Sequence, residues 1–316
     1  MLAALVVAAM CAPGTWLRSA VSEDPNPEIS VARIQGETST SVPGWRVEGV
    51  WHYSSAPSLR VGGYSALLTM GDDTLRAFSD RGFRFTFPAP DVPAGDARIP
   101  EIERQAMAEE RLNWVYWDIE SATQDLTTGD YWLGFEFEHA IQRFSDASEP
   151  EGLHSLEGAF NWTSNSGLEA MERMSDGSFV AIPEGQRYAL LYASDPVEGG
   201  ELLQIAFETP AESFAVTDLA QLPDGRLLLL MRNVAWGSPP FEGLIAIADP
   251  PSSGSDTAWS PKVALRFDGV IPRENYEGLA VREREDGSVI VWVISDDNIS
   301  AFQRTLLAKL IFDPSA

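Results

Sequence analysis

The chain has 316 residues, 44% of them hydrophobic, enough for one large domain or two small ones with a sizeable core. Its 22 Lys and Arg face 47 Asp and Glu, a formal net charge of −25. That balance excludes nucleic-acid binding through phosphates, works against anionic membranes, and suits cations, cationic partners or anionic substrates bridged by a metal. Cys11 is the only cysteine, so no intramolecular disulfide can form.

Residues 1–12 are almost wholly apolar, too few to span a bilayer securely, and end at Pro13-Gly14. Residues 1–20 therefore read as a leader, which implies export to the periplasm or beyond; an uncleaved anchor is the alternative. Residues 21–44 are polar, with Pro25 and Pro27, and read as a linker leading into a strand over 29–34. The domain is expected to span 45–316. Residues 45–53 alternate as a strand around Val47, Val50 and Trp51 and precede the first full repeat. This strand is expected to complete the last unit from outside. Residues 60–87 hold a hairpin and a third strand at 84–87. A loop over 88–100 follows, and the composition of 101–112 suggests a short helix or an insertion. Residues 114–144 form a second unit, joined by 152–162 to the third. The third unit predicts four strands, at 168–174, 179–183, 189–193 and 202–207. The fourth repeats it at 219–222, 227–231, 244–248 and 263–267. The last unit has strands at 279–281, 289–294 and 306–312 and lacks a fourth of its own.

One element recurs through these units. Glu169 opens a strand, Asp176-Gly177 reverses the chain, and a second strand ends in Glu184. Asp-Gly between apolar runs is a hairpin signal. Ser65 leads likewise to Asp80, Glu120 to Glu136 and Glu138, Asp218 to Arg232, and Glu277 to Asp296 and Asp297. The turns recur roughly every 50 to 60 residues, the sequence signature of an all-β propeller. We expect a single β-propeller with five clear blades, room for a sixth in the unplaced segments, and closure by the N-terminal strand. A hairpin brings the start of its first strand and the end of its second to one mouth. With the first strand innermost, the acids form a ring around one axis. Such a ring repels itself unless a cation or protons neutralise it. Any single acid is equally well explained as a polar strand end; the repetition argues for the ring.

Several stretches resemble the bacterial "esterase-like activity of phytase" family: Ser79-Asp80-Arg81-Gly82, Asn165-Ser166-Gly167-Leu168-Glu169-Ala170, Thr217-Asp218-Leu219, Asn275-Tyr276-Glu277-Gly278-Leu279-Ala280, and Ser295-Asp296-Asp297-Asn298 with Gln303-Arg304-Thr305 after it. The likeness runs from Gly62 to Phe312. It implies a β-propeller of exported bacterial proteins, hydrolysis of phosphate or carboxylic esters, and the calcium dependence of similar phytase propellers. The chain departs from the family pattern at Met231, where an acid is commoner, and at Ile299, where an aromatic is commoner.

Calcium takes six to eight hard oxygen ligands, mostly carboxylates and carbonyls. The expected ligands are Glu120, Glu169, Asp218, Glu277, Asp296 and the amide of Asn298. Arg81, Arg143, Arg187 and Arg232 lie near strand ends, and Arg81, Arg143 and Arg232 are the candidates to bind an anionic substrate through their guanidinium forks. A salt bridge to a neighbouring acid is the plainer role for each. His52, His139 and His154 lack zinc spacing. Gly63-Tyr64-Ser65-Ala66-Leu67 lacks the second Gly of a nucleophile elbow, which argues against a serine hydrolase. Trp114, Trp117, Trp132 and Trp292 read as core between blades. Three functions stay open: a calcium-dependent hydrolase of small anionic esters, a calcium-stabilised binding propeller without catalysis, and a lactonase-like propeller. A monomer is expected.

Overall fold

Each hairpin turn folds for a local reason. In three of them an Asp accepts a hydrogen bond from the backbone two residues on: Asp176 Oδ1 from Ser178 N at 2.9 Å, Asp224 Oδ1 from Arg226 N at 3.0 Å, and Asp286 Oδ1 from Ser288 N at 3.0 Å. The Gly that follows has φ of 87° at Gly177, 90° at Gly225 and 80° at Gly287, while the Asp keeps negative φ. The turn is therefore not the two-residue form with both residues left-handed. Met174 N donates to Ser178 O at 2.7 Å and Gly177 N to Met174 O at 2.9 Å, which makes a three-residue loop closed by a glycine bulge.

The computed structural model describes residues 24, 27–71, 73–93, 100–105, 118–136, 138–156, 167–252 and 257–316. The expected leader, Trp114, Trp117 and residues 106–112 of the expected helix lie outside them. Strands β1 (Ser30–Gln35), β2 (Thr38–Ser39) and β3 (Trp45–Ser54) come first. Blade 1 is β4 to β7 (Tyr64–Met70, Thr74–Ser79, Phe83–Pro88, Glu101–Arg104). Blade 2 is β8 to β11 (Ile119–Gln124, Tyr131–Phe135, Ala140–Phe144, Pro150–Ser155). Blade 3 is β12 to β15 (Leu168–Arg173, Phe179–Pro183, Tyr188–Tyr192, Leu202–Ala206). Blade 4 is β16 to β19 (Ala215–Gln221, Leu227–Val234, Phe241–Ala248, Lys262–Arg266). Blade 5 begins with β20 to β22 (Asn275–Glu283, Val289–Asp296, Thr305–Phe312).

The innermost strands close a ring: β4 lies against β8, β8 against β12, β12 against β16, β16 against β20, and β20 against β4. The fold is an all-β propeller of five blades. As the sequence predicts, β3 supplies the fourth strand of blade 5, pairing with β22 from Thr305↔Tyr53 to Phe312↔Trp45. Strands β1 and β2, within the stretch read as a linker, add to the outer edge of β3. Two other outer strands differ from expectation. Residues 101–104 are not helical but pair with β6, Phe83↔Arg104 to Thr86↔Glu101. Residues 150–155 are not a connection but pair with β10. In both places a free sheet edge offers unpaired backbone groups, and that outweighs local composition.

The core lies between neighbouring blades. Trp292, 2% exposed, and Trp51, 6.1 Å apart within blade 5, pack in one cluster with Tyr64, Leu67 and Phe85 of blade 1, and Trp132, 4% exposed, meets Phe179 of blade 3 edge-on at 5.1 Å. Trp292 and Trp132 are core residues, as expected. Because Trp51 joins the closing strand to this packing, Trp51→Ala should cost about 3 kcal/mol or more in reversible denaturation. A loss below about 1 kcal/mol would mean that β3 does not carry the closure. No helix among the described residues is long and apolar enough to cross a membrane.

Candidate functional site

The strand register creates the site. Each innermost strand carries a bulge near its start, and the residue skipped by the ladder is Ser65, Glu120, Glu169, Thr217 or Glu277 in blades 1 to 5. A bulge bends its strand and re-aims that side chain. One residue beyond the ladder partners of Tyr64, Ile119, Leu168, Val216 and Tyr276, the second strands present Asp80, Glu136, Glu184, Arg232 and Asp296. The backbone of these residues faces Gly63, Asp118, Gly167, Ala215 and Asn275; for example Glu136 N donates to Asp118 O at 3.0 Å. Three rows of five positions therefore converge on one mouth of the axis. They bring Asp80, Asp118, Glu120, Glu136, Glu169, Glu184, Glu277 and Asp296 around Arg232.

These groups act on one another. Burial pushes the Glu120 carboxyl far above the usual range, and Glu169, Asp118 and Glu277 push it further. Glu169 is raised by burial, then by Glu184 and Glu277, against the pull of Arg232. Burial and Asp118 push Glu136 up to about 8, and Asp80, raised by burial against the opposing charge of Arg81, stands at about 6. Asp296 is raised by burial and then by Glu277 and Asp80. Asp118 stands close to both Glu120 and Glu136, and its carboxylate makes ionising either of them harder. Arg232 lies 3.2 Å from Glu277 and donates to Asn275 Oδ1 at 2.8 Å. Burial works against its charge, and Glu277, Glu169, Asp296 and Glu120 more than offset that. The backbone is shaped to fit: a Cβ at Gly167 would stand 2.8 Å from Glu136 Cα, so only glycine lets blade 3 begin against the blade 2 acid.

Within this cup, carboxylate oxygens of Asp118, Glu120 and Glu136 all lie within 4.8 Å of one another. Three hard, mutually repelling donors, Glu136 buried and Asp118 and Glu120 half-buried, match the ligand chemistry of calcium. Of the expected ligands, Glu120, Glu169, Glu277 and Asp296 are in the cup. Asp218 is not in the ring: the bulge position of blade 4 is Thr217, one residue earlier. Asp218 is buried behind it, accepting from Leu219 N at 2.8 Å and Leu279 N at 2.6 Å, so its carboxylate ties blade 4 to blade 5. Asn298 stands in the turn after Asp296, where its N donates to Asp296 Oδ1 at 2.7 Å and its amide donates to Gln303 at 2.9 Å. Asp118, Glu136, Glu184 and Asp80 were not among the expected ligands. Three of them were visible as hairpin ends; Asp118 precedes its strand and had no signal.

The three arginines differ. Arg232 is central. Arg81 lies 3.3 Å from Asp80, and its Nη1 is buried without a hydrogen-bond partner among the described residues. Arg143 is outside the cup, on the third strand of blade 2, held by Glu151 at 3.0 Å, Asp195 at 2.7 Å and Glu198 at 2.9 Å. A 3-10 turn over Pro196–Glu198 supplies part of that acid set. Arg143→Ala should therefore lower stability by about 1 kcal/mol and leave any hydrolysis within about twofold, while Arg232→Gln should lower kcat/KM at least about tenfold. Equal kinetic effects of the two changes would contradict this placement.

A family profile described as "Phytase-like: Esterase-like activity of phytase" matches residues 59–299. No curated protein matches the sequence. Among solved structures, an exo-1,5-alpha-L-arabinanase from a bovine ruminal metagenomic library is similar at 12% identity, covering 80% of this chain and 95% of that one, with a TM-score of 0.51. A luciferin-regenerating enzyme is similar at 12% identity, covering 90% and 95%, with a TM-score of 0.48. The first of these shares the propeller fold.

Proposed function

Because the chain belongs to the phytase-like family, we propose that its acidic cup is the active site of an exported, calcium-dependent hydrolase of small anionic phosphate or carboxylic esters. The observation that carries this is the Asp118, Glu120 and Glu136 cluster, its oxygens within 4.8 Å, in one cup with Arg232. These three residues would hold calcium. When bound, calcium supplies positive charge that offsets the crowded carboxylates and polarises an ester oxygen. Arg232 and Arg81, whose Nη1 has no partner among the described residues, offer N–H donors to an anionic oxygen. Glu169, its carboxyl pushed up by burial and by its acidic neighbours, is the group to give a proton to the leaving oxygen as a water attacks the ester.

One observation favours a second reading, a calcium-stabilised binding propeller: Arg232 is already engaged by Glu277 and Asn275. Assays with p-nitrophenyl phosphate, p-nitrophenyl acetate and a lactone, with calcium and with EDTA, separate the readings. The hydrolase reading requires turnover of an ester that EDTA abolishes. Turnover of the lactone alone selects the lactonase-like alternative. Calcium-dependent melting without any turnover selects the binding propeller.

A further inference from the structure

The six tryptophans described divide sharply. Trp45, Trp51, Trp132, Trp259 and Trp292 are at most 7% exposed, whereas Trp236 is 84% exposed. A free-standing indole forgoes a large burial gain, so its position invites a functional account. That position is specific. Strand β17 carries Arg232 into the acidic cup, and Val234, 67% exposed, follows two residues later on the same strand face. Ala235 N donates to Pro240 O at 2.9 Å, which extends the hairpin, and Trp236 comes two residues after Val234. Arg273, in the segment leading into blade 5, donates from Nη1 to Trp236 O at 3.2 Å and is itself held by Glu242 and Asp268. The loop is thus anchored over the junction of blades 4 and 5. Two more exposed apolar residues belong to connections at the same mouth: Phe302, 51% exposed, between β21 and β22, and Leu59, 49% exposed, between β3 and β4.

Taking the acidic cup as the hydrolytic site proposed above, we propose that Trp236 is its specificity-determining residue, and that the substrate is an ester with one anionic group and an aromatic or similarly flat apolar body. The anionic end is drawn to Arg232 and the held cation, and the apolar body lies along Val234 and on the indole. Eight carboxylates in the cup and a net charge of −25 oppose a polyanionic substrate, which would bring more negative charge than the cup can offset. An aromatic face beside a charged pocket rewards a ligand that joins one anionic group to one ring.

The test uses two ligand pairs on the calcium-loaded protein. By calorimetry, phenylphosphonate should bind at least about tenfold more tightly than methylphosphonate, a preference that Trp236→Ala brings to within about twofold of unity and Trp236→Phe keeps. By phosphate release, Trp236→Ala should raise KM for phenyl phosphate about tenfold with kcat little changed, and leave methyl phosphate within about twofold. Because Trp236 is exposed, melting of the alanine variant should match that of the parent. Equal binding of the two phosphonates, no binding of either, or a preference that survives Trp236→Ala overturns the proposal. Phosphonate binding with the expected preference but no turnover of any ester leaves Trp236 as a ligand platform and overturns the hydrolase reading instead.

Discussion

Calcium should raise the melting temperature and switch on hydrolysis together, and Glu136→Gln should remove most of both effects. The reason is electrostatic. Asp118, Glu120 and Glu136 are brought within 4.8 Å. Burial and mutual repulsion then raise the proton affinity of Glu120 and Glu136. Binding a cation to the folded form alone stabilises it by RT ln(1 + [L]/Kd), about 2.7 kcal/mol at a hundredfold excess over Kd, or roughly 5 °C for a domain of this size. Replacing one carboxylate by an amide of the same shape takes away a charged donor with little change in packing. The calcium-dependent shift should fall below about 2 °C, and kcat/KM should fall about a hundredfold or more. Asp218→Asn separates the ring from its neighbour. It should destabilise the fold, because the buried carboxylate caps Leu219 N and Leu279 N, while leaving the calcium-dependent shift in place. If Asp218→Asn abolished that shift and Glu136→Gln did not, the assignment of the ring from the register would be wrong.

The second large effect is an inverted pH dependence without metal. Glu136 has its folded pKa near 8 against an unfolded value near 4.5, and Glu120, Glu169 and Asp296 are raised as well. Between those limits the folded chain binds more protons than the unfolded chain, so stability rises as pH falls from about 8 towards 5. Acids held below their usual range, such as Asp125, Asp176 and Asp224, work the other way only at lower pH, where their hydrogen bonds and ion pairs are lost. In EDTA the melting temperature should therefore be several degrees higher at pH 5.5 than at pH 8. With saturating calcium the trend should weaken or reverse, because the cation binds ionised carboxylates and competes with protons. A metal-free protein that is more stable at pH 8 than at pH 5.5 would show that the cup is solvated and its acids ordinary.

The sequence alone determined what depends on near neighbours. Apolar runs interrupted by Asp-Gly placed the hairpins at 176, 224 and 286, and the missing fourth strand of the last unit pointed to residues 45–53. Both follow from backbone chemistry that acts within a few residues, or from the general cost of an open sheet edge. The repeated acids also pointed to one axial mouth. Tertiary structure decided the rest. The outer strands at 101–104 and 150–155 are short and largely exposed, so their pairing comes from the edge beside them and not from their own patterning. One-residue bulges decide whether Thr217 or Asp218 takes the ring position, and nothing in Thr217-Asp218-Leu219 shows where a bulge falls. Asp118 joins Glu120 and Glu136 only because the start of one strand stands opposite the end of the next. Arg143 and Arg232 look alike in the chain. Neighbours from other blades or a distant turn set one among outer acids and the other in the cup, and charge at such close range is fixed by three-dimensional packing, which the local sequence does not encode.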